Sequence, residues 1–286
     1  MNQGIDANLE YSQKISNVFV TARGNFTYNR NKMINNDDPD WEYKYQNRIG
    51  KPFGSYGSVQ PFGLKALGLF ASQEEIDNSP KQTYGEYRVG DIRYQDINGD
   101  GVIDSQDEVA LGYTNMPEIV YGFGATAQWK NWDFNVFFQG VAHTSFFLAG
   151  ASLRSPFSSG SMERSAVNED IYGNVWMSTN TPEQNDRAIY PRLSLSNQAG
   201  SSNNNQTSDW WLRDGSFLRL KNFEIGYTLP KKLLGKNFIR SLRFYVAANN
   251  LLTFCNFKLW DPEKGSSDGS GYPLNRVVTL GFNINL

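Results

Sequence analysis

The 286-residue chain has one cysteine, one histidine, little net charge and no long apolar run. A lone Cys255 can form no internal disulfide, and a lone His143 is a poor basis for a His-rich metal centre or a His-dependent catalytic triad. Both residues are expected to be structural. A formal charge of −2, with no cluster of Lys and Arg, lacks the electrostatic footprint of a nucleic-acid binder. No window of 18 or more apolar residues is present, so no transmembrane helix is expected, although a β-barrel crosses a membrane with a much weaker hydropathy signal. The stretch "MNQGIDANLEYSQKIS" has neither the basic nor the apolar region of a signal peptide. This leaves two expectations: a cytoplasmic protein, or a chain whose residue 1 is not the start of the natural polypeptide.

Large rings are plentiful. Aromatics reach 14 %, with 19 Phe, 15 Tyr and 7 Trp, yet the mean hydropathy is −0.54. Asn, Ser, Gly and Asp dilute the rings, which favours strands and loops over helices. In "RVVTLGFNINL", Val278, Leu280, Phe282, Ile284 and Leu286 alternate with Thr279, Gly281, Asn283 and Asn285, the period of a strand. The segment "EIVYGFGATAQW" alternates in the same way, and "KN" leads into Trp132, Phe134, Val136 and Phe138, giving a hairpin whose turn is flanked by Trp129 and Trp132. A membrane barrel places its interfacial aromatic girdle at such a position.

Val18, Val20, Ala22, Phe26 and Tyr28 share one face of "NVFVTARGNFTYNRN", and Leu242, Phe244, Val246 and Ala248 share one face of "SLRFYVAANNLLTF". In "SFLRLKNFEIGYTLP", Leu218 and Leu220 are out of phase with Phe223, Ile225, Tyr227 and Leu229, which predicts a bulge near Lys221 and Asn222. Eight to ten strands are expected in all. Residues 145–206 form a long polar connection against the short "TLPKKLLGKNFIRS", the loop asymmetry of a membrane barrel.

The stretches "GDIRYQDINGDGVIDSQDEVALGYTNMPEIVYGFGATAQWKNWDFNVFFQG", "WWLRDGSFLRLKNFEIGYTLPKKLL", "LRFYVAANNLLTF" and "VVTLGFNINL" follow one another in the chain. In that order they resemble the C-terminal barrel portion of SusC/RagA-type TonB-linked outer-membrane proteins of Bacteroidota. The resemblance implies an all-β fold, with residues 1–286 forming the C-terminal part of a 22-stranded antiparallel transmembrane barrel with long extracellular loops. It also implies a plug domain, TonB box and signal peptide that this sequence does not contain. The implied function is import of glycans or oligopeptides across the outer membrane, with no enzyme activity. The implied partners are a SusD-like surface lipoprotein, TonB–ExbB–ExbD acting on the plug, and outer-membrane lipid. The terminal pattern of Gly281, Ile284 and Leu286 resembles the signal read by the outer-membrane assembly machinery.

One motif stands apart from that architecture. In residues 96–107, Asp96, Asn98, Asp100, Asp104 and Asp107 occupy positions one, three, five, nine and twelve of a calcium loop. Val102 offers a backbone carbonyl at seven and Gly101 takes the sharp turn at six. Asp107 stands where an EF-hand has a bidentate Glu, and "GEYRVGDIRYQ" ahead of the loop reads as strand. The expectation is a structural Ca²⁺ staple between strands, and a solvated Asp-Gly turn needing no ion is its alternative.

Asp209, Trp210, Trp211, Arg213 and Asp214 combine rings with bidentate hydrogen bonders, as a substrate or lid contact would, while an interfacial girdle explains the tryptophans as well. "LWDPEKGSSDGSGYPLNR" reads as a mobile outer loop, and Arg23, Arg219 and Arg243 as lumen-facing wall charges. Two rival readings are a soluble calcium-stabilised β-sandwich that binds carbohydrate and a glycan hydrolase acting through a carboxylate pair.

Overall fold

The computed structural model describes residues 1–38, 40–53, 60–148, 169–194, 202–235, 238–265, 269 and 271–286. Much of the polar connection expected at 145–206, and part of the segment 259–276, lie outside the described residues.

Seven long strands form one antiparallel sheet. They are β1 (Asn2–Ile15), β2 (Val18–Asn31), β3 (Ile119–Trp129), β4 (Trp132–Ala142), β5 (Phe217–Thr228), β6 (Ser241–Phe254) and β7 (Val277–Asn285). Each pairs with the next in sequence, so the sheet is a simple meander. The shortest has 9 residues, enough to cross a hydrocarbon layer when tilted by roughly 45°. Ser16 and Lys130 adopt left-handed backbone (φ 56° and 54°) in the two-residue turns after β1 and β3. β1 is a strand that the sequence reading passed over, although Ile5, Ala7, Leu9, Tyr11 and Ile15 alternate along it with Asp6, Asn8, Glu10 and Lys14.

The register places the alternating residues in continuous rows across the sheet. Near the short turns, Ile15, Val18, Trp129, Trp132, Tyr227, Phe244 and Phe282 stand side by side through successive pairings. Three residues along each strand, on the opposite face, Ser12, Thr21, Thr126, Asn135, Glu224, Ala247 and Thr279 form the corresponding row. One face of the sheet is therefore apolar and the other polar. No second sheet of comparable size covers the apolar face among the described residues, and Phe123, Trp129, Trp132, Phe244 and Leu280 remain exposed on it. A β-sandwich would bury that face, so the soluble-sandwich reading is set aside.

The bulge expected near Lys221 is present. Val136 pairs with Phe223 and Phe138 with Leu220, so β5 carries one more residue than β4 between these pairs. A second shift lies between β5 and β6, where Asn250 takes a φ of 54°. The extra residue keeps both out-of-phase sets, Leu218 and Leu220 as well as Phe223 and Ile225, on the apolar face.

The connections are unequal in the way the sequence implied. Residues 16–17, 130–131 and 229–240 join strands at one end, while 32–118, 143–216 and 255–276 join them at the other. The long connections are more than polar coil. They contain the main hydrophobic core, in which Leu64, Ile92, Tyr94 and Ile103 from the first pack with Phe146, Leu148, Tyr190 and Trp211 from the second and Phe257 from the third. Short strands add pairings within this layer, Ala66–Leu69 with Ile92–Tyr94 and Ser145–Phe147 with Leu212–Asp214.

Buried polar groups lock the layer together. Asn203 Nδ2–H donates to Ile92 O (2.9 Å), Ile92 N–H donates to Asn204 Oδ1 (2.9 Å), and Asn204 Nδ2–H donates to Asp91 Oδ1 (2.9 Å). Gln82 and Asn203 are joined at 2.6 Å, and Asp91 is also paired with Arg192 at 2.9 Å. These contacts span 101–121 residues of sequence, so they close large loops that hydrophobic burial alone would leave free to slide.

Candidate functional site

Two surfaces carry the chain's polar chemistry: the polar face of the sheet and the loop layer at its end. On the sheet, Arg243 of β6 reaches Asp133 of β4 and Glu224 of β5, with its Nε 2.9 Å from Asp133 Oδ1 and its Nη2 2.5 Å from Glu224 Oε1. Arg23 lies over the Phe137 ring, 5.2 Å from its centroid. Both arginines sit on the polar face, as expected for wall charges.

Arg219 differs. Its side chain is almost wholly buried and pairs with Asp261 and Glu263 of the connection 255–276, which it ties to the wall. The described start of that connection is packed, because Phe257 belongs to the core and Leu259 and Trp260 lie against it.

In the stretch Trp210–Asp214, expected at a substrate or lid contact, the residues have separate roles. Trp211 is fully buried, and its Nε1–H donates to Asn204 O (2.8 Å). Its ring is core of the loop layer and presents no surface to a ligand. Trp210 packs against the same core, so neither tryptophan forms an interfacial girdle. Asp209 accepts from the Ala66 N–H at 2.7 Å, a structural tie.

Arg213 Nη1–H donates to the carbonyls of Trp210 and Leu212 (2.7 and 2.9 Å). Burial holds its guanidinium pKa below the ordinary arginine range, while Tyr190 and Asp170 act in the opposite direction. The Tyr190 hydroxyl donates to Asp170 Oδ2 at 2.6 Å, and its pKa is raised by burial first and by Asp170 second. Arg213 and Asp214 line a cleft of about 280 Å³ with Asp170, Tyr190 and Lys258. Two of the five expected contact residues, Arg213 and Asp214, thus reach a concave surface, while Trp210 and Trp211 are absorbed by packing and Asp209 by its tie to Ala66.

The acidic loop lies between the strand Ile92–Tyr94 and the strand Val102–Ile103, as the sequence implied. Gly99 and Gly101 have φ of 79° and 84°, and both donate to Asp96, at 2.6 and 2.9 Å. Asp100 Oδ1 accepts from Val102 N–H, and Asn98 Oδ1 from Asp100 N–H. Asp107 is buried and accepts from Ile97 N–H (2.7 Å) and Asp104 N–H (2.9 Å), while Asp104 caps the turn Ser105–Asp107. The loop's oxygens are thus engaged by its own amides. Among the described residues, no group of three or more His, Cys, Asp and Glu is arranged to hold a metal ion.

The two scarce residues are structural. His143 stacks on Tyr113 at 4.5 Å and pairs with Glu118 at 3.2 Å, and Cys255 Sγ–H donates to Phe257 O. Among the described residues, no helix is long and apolar enough to cross a membrane. Sequence reasoning missed Asn203 and Asn204, because an Asn-rich run reads as a solvated turn. The nearby signal is "DWWLRD", whose adjacent rings require something to bury them.

No protein-family model matches the chain. Curated relatives do match. TonB-dependent receptor P26 of Formosa agariphila is 33 % identical over 236 residues, covering 78 % of this chain and 22 % of that protein. TonB-dependent receptor P3 of the same organism is 28 % identical over 99 % of this chain and 28 % of its own length. TonB-dependent receptor SusC of Bacteroides thetaiotaomicron is 23 % identical over 91 % of this chain and 24 % of its own length.

The chain spans about a quarter of the length of these relatives. Among solved structures, the RagAB peptide transporter superposes over 99 % of this chain and 29 % of the matched chain, with a TM-score of 0.68 and 22 % identity. The RagAB peptide importer in its 'closed-closed' state gives 0.66 at 23 % identity. This is a likeness of fold, and it assigns the two-faced meander to the wall of a large β-barrel. Sequence relationship and barrel-wall register agree: the chain belongs to the TonB-dependent receptors, of the SusC/RagA type.

Proposed function

We propose that residues 1–286 form the C-terminal wall and outer loop layer of an outer-membrane receptor that imports large nutrients, glycans or oligopeptides. The observation that carries this reading is the register of the sheet. It gathers the apolar residues of seven strands on one face and the polar residues on the other, as lipid outside and an aqueous lumen inside require. Relatives named as TonB-dependent receptors support the transport class, and the RagAB likeness supports a peptide as one of the two nutrient classes. In this reading a SusD-like lipoprotein closes over the loop layer. TonB–ExbB–ExbD supplies energy through a plug domain within the whole receptor. The chain takes part in binding and passage and performs no catalysis.

The test is disruption of the gene in its host, followed by uptake of labelled oligosaccharide and oligopeptide pools. Loss of uptake of one pool, restored by the intact gene, is the expected result. Unchanged uptake of both rejects the reading.

We also propose Ca²⁺ as a structural ligand of residues 96–107. Alternating oxygens and the left-handed Gly99 and Gly101 support it, and the carboxylates retain lone pairs beyond the amides they accept. The ion would be held by Asp96, Asn98, Asp100, Val102, Asp104 and Asp107.

A further inference from the structure

The acidic loop forms one wall of a second cleft, of about 350 Å³, lined by Trp41, Arg48, Phe62, Ser105, Gln106 and Glu108. The facing wall is the segment 41–48, which follows β2. The walls are tied at their edges. Tyr45 Oη–H donates to Gln106 O (2.6 Å), Gln46 Nε2–H donates to Ser105 O (2.9 Å), and Tyr43 stacks on Tyr45 at 5.3 Å. On the other side, the Asp104–Asp107 capping box fixes the turn that presents Ser105 and Gln106. The acidic loop thus supplies the carbonyls to which the facing segment is tied.

Inside the cleft, Arg48 lies over two rings, 5.6 Å from the Trp41 centroid and 5.8 Å from that of Phe62. Two rings this close attract a guanidinium by cation–π interaction and use none of its N–H donors. Among the described residues, Arg48 has no hydrogen-bond acceptor and no carboxylate within ion-pair distance. Glu108 shares the cleft, and its carboxyl likewise takes no hydrogen bond among the described residues. Burial raises its pKa and Arg48 acts the other way, so the two groups sense each other without pairing. A guanidinium that meets no acceptor among the described residues can take a planar anion in its fork.

We propose that this cleft binds a carboxylate group through Arg48, with Glu108 meeting a hydrogen-bond donor of the same ligand. The chemistry fits an acidic peptide or a uronic-acid glycan, and the two sources share the carboxylate. The proposal deepens the receptor reading and rests on it for placing the loop layer on the outer side.

The intact receptor, purified from outer membranes in detergent, is titrated calorimetrically with tri-glutamate, tri-galacturonate and, as the neutral control, maltotriose. One acidic probe is expected to bind, with maltotriose giving no heat that depends on Arg48. The stronger acidic probe identifies the source. Arg48→Ala should weaken that binding at least about ten-fold, and Arg48→Lys should fall between the two because a point charge replaces the fork. Heat-modifiable migration of each variant verifies the folded barrel, and Arg48→Lys carries the test if the alanine variant misfolds. Binding by neither acidic probe, or equal affinity in the arginine variants, overturns the proposal. The uptake experiment is read independently, so a nutrient imported without Arg48 would overturn the cleft and leave the receptor standing.

Discussion

Arg243 lies across Gly226: a Cβ at residue 226 would stand 2.3 Å from Arg243 Nη2 and 2.6 Å from its Nε. The missing side chain on β5 is what lets an arginine of β6 reach past its neighbour to Asp133 on β4. Gly226→Ala should push the guanidinium aside and loosen its pairing with Asp133 and Glu224. The groups are partly exposed, so the expected cost is about 1 kcal/mol or less. Thermal unfolding of Gly226→Ala, Arg243→Ala and the double variant checks this. Additive losses would show that the glycine and the arginine are not coupled.

Neighbouring residues of β7 should tolerate charge very differently. Leu280 lies in the apolar row with Val246, and Thr279 lies in the polar row with Ala247. Leu280→Arg should destabilise the barrel by about 2–4 kcal/mol near the bilayer midplane, whereas Thr279→Arg should cost little. Urea unfolding of the receptor in lipid vesicles measures both, and equal losses would contradict the assignment of faces.

Asn204 is fully buried and makes contacts with Ile92, Asp91 and Trp211 through its side chain and carbonyl. Asn204→Leu keeps the bulk but leaves the Ile92 N–H and one Asp91 oxygen unsatisfied, at about 1–3 kcal/mol for each group. Because that network lies in the loop layer, hydrogen exchange should rise over 81–94 and 202–212 while the strands stay protected. Uniform protection after substitution would mean that the clasp is redundant.

Glu108 gives the loop layer a pH signature. Its folded pKa is raised by burial, so its stabilising contribution is complete below the unfolded carboxylate pKa. It is lost as pH climbs through the raised value, because the unfolded chain releases the proton first. Glu108→Gln should flatten the stability curve across that window. Identical pH dependence of the melting temperature in variant and parent would exclude Glu108 as the source.

Calcium should act locally. With Ca²⁺ as the ligand of residues 96–107, a chelator lowers the melting temperature of the loop layer, and Asp107→Ala removes the response. The same substitution also frees the amides of Ile97 and Asp104, so the variant is less stable than the parent even in chelator. A parent protein indifferent to chelator would leave the amide-closed turn as the whole account.

The strands were legible because a period of two is a local property: Val278 to Leu286 and Ile119 to Trp129 announce one apolar face without reference to anything distant. The bulge at Lys221 was legible for the same reason, since a phase slip within a single strand has no other economical cause. β1 carried an equally plain alternation and was overlooked, being read only for a targeting signal.

The loop layer was not legible. Asn203 and Asn204 read as solvated turn residues, and their burial depends on Ile92 and Asp91, more than a hundred residues away. Trp211 and Arg213 were singled out by residue type, but only tertiary packing decides which of two neighbouring side chains fills a core and which lines a cleft. Sequence alone thus determined the strands, their two faces and the uneven connections, because each follows from alternation along a few residues. Tertiary structure decided where the core lies, which acidic side chains are tied to amides and that Arg48 lies over the Trp41 and Phe62 rings, because those depend on how separate segments pack.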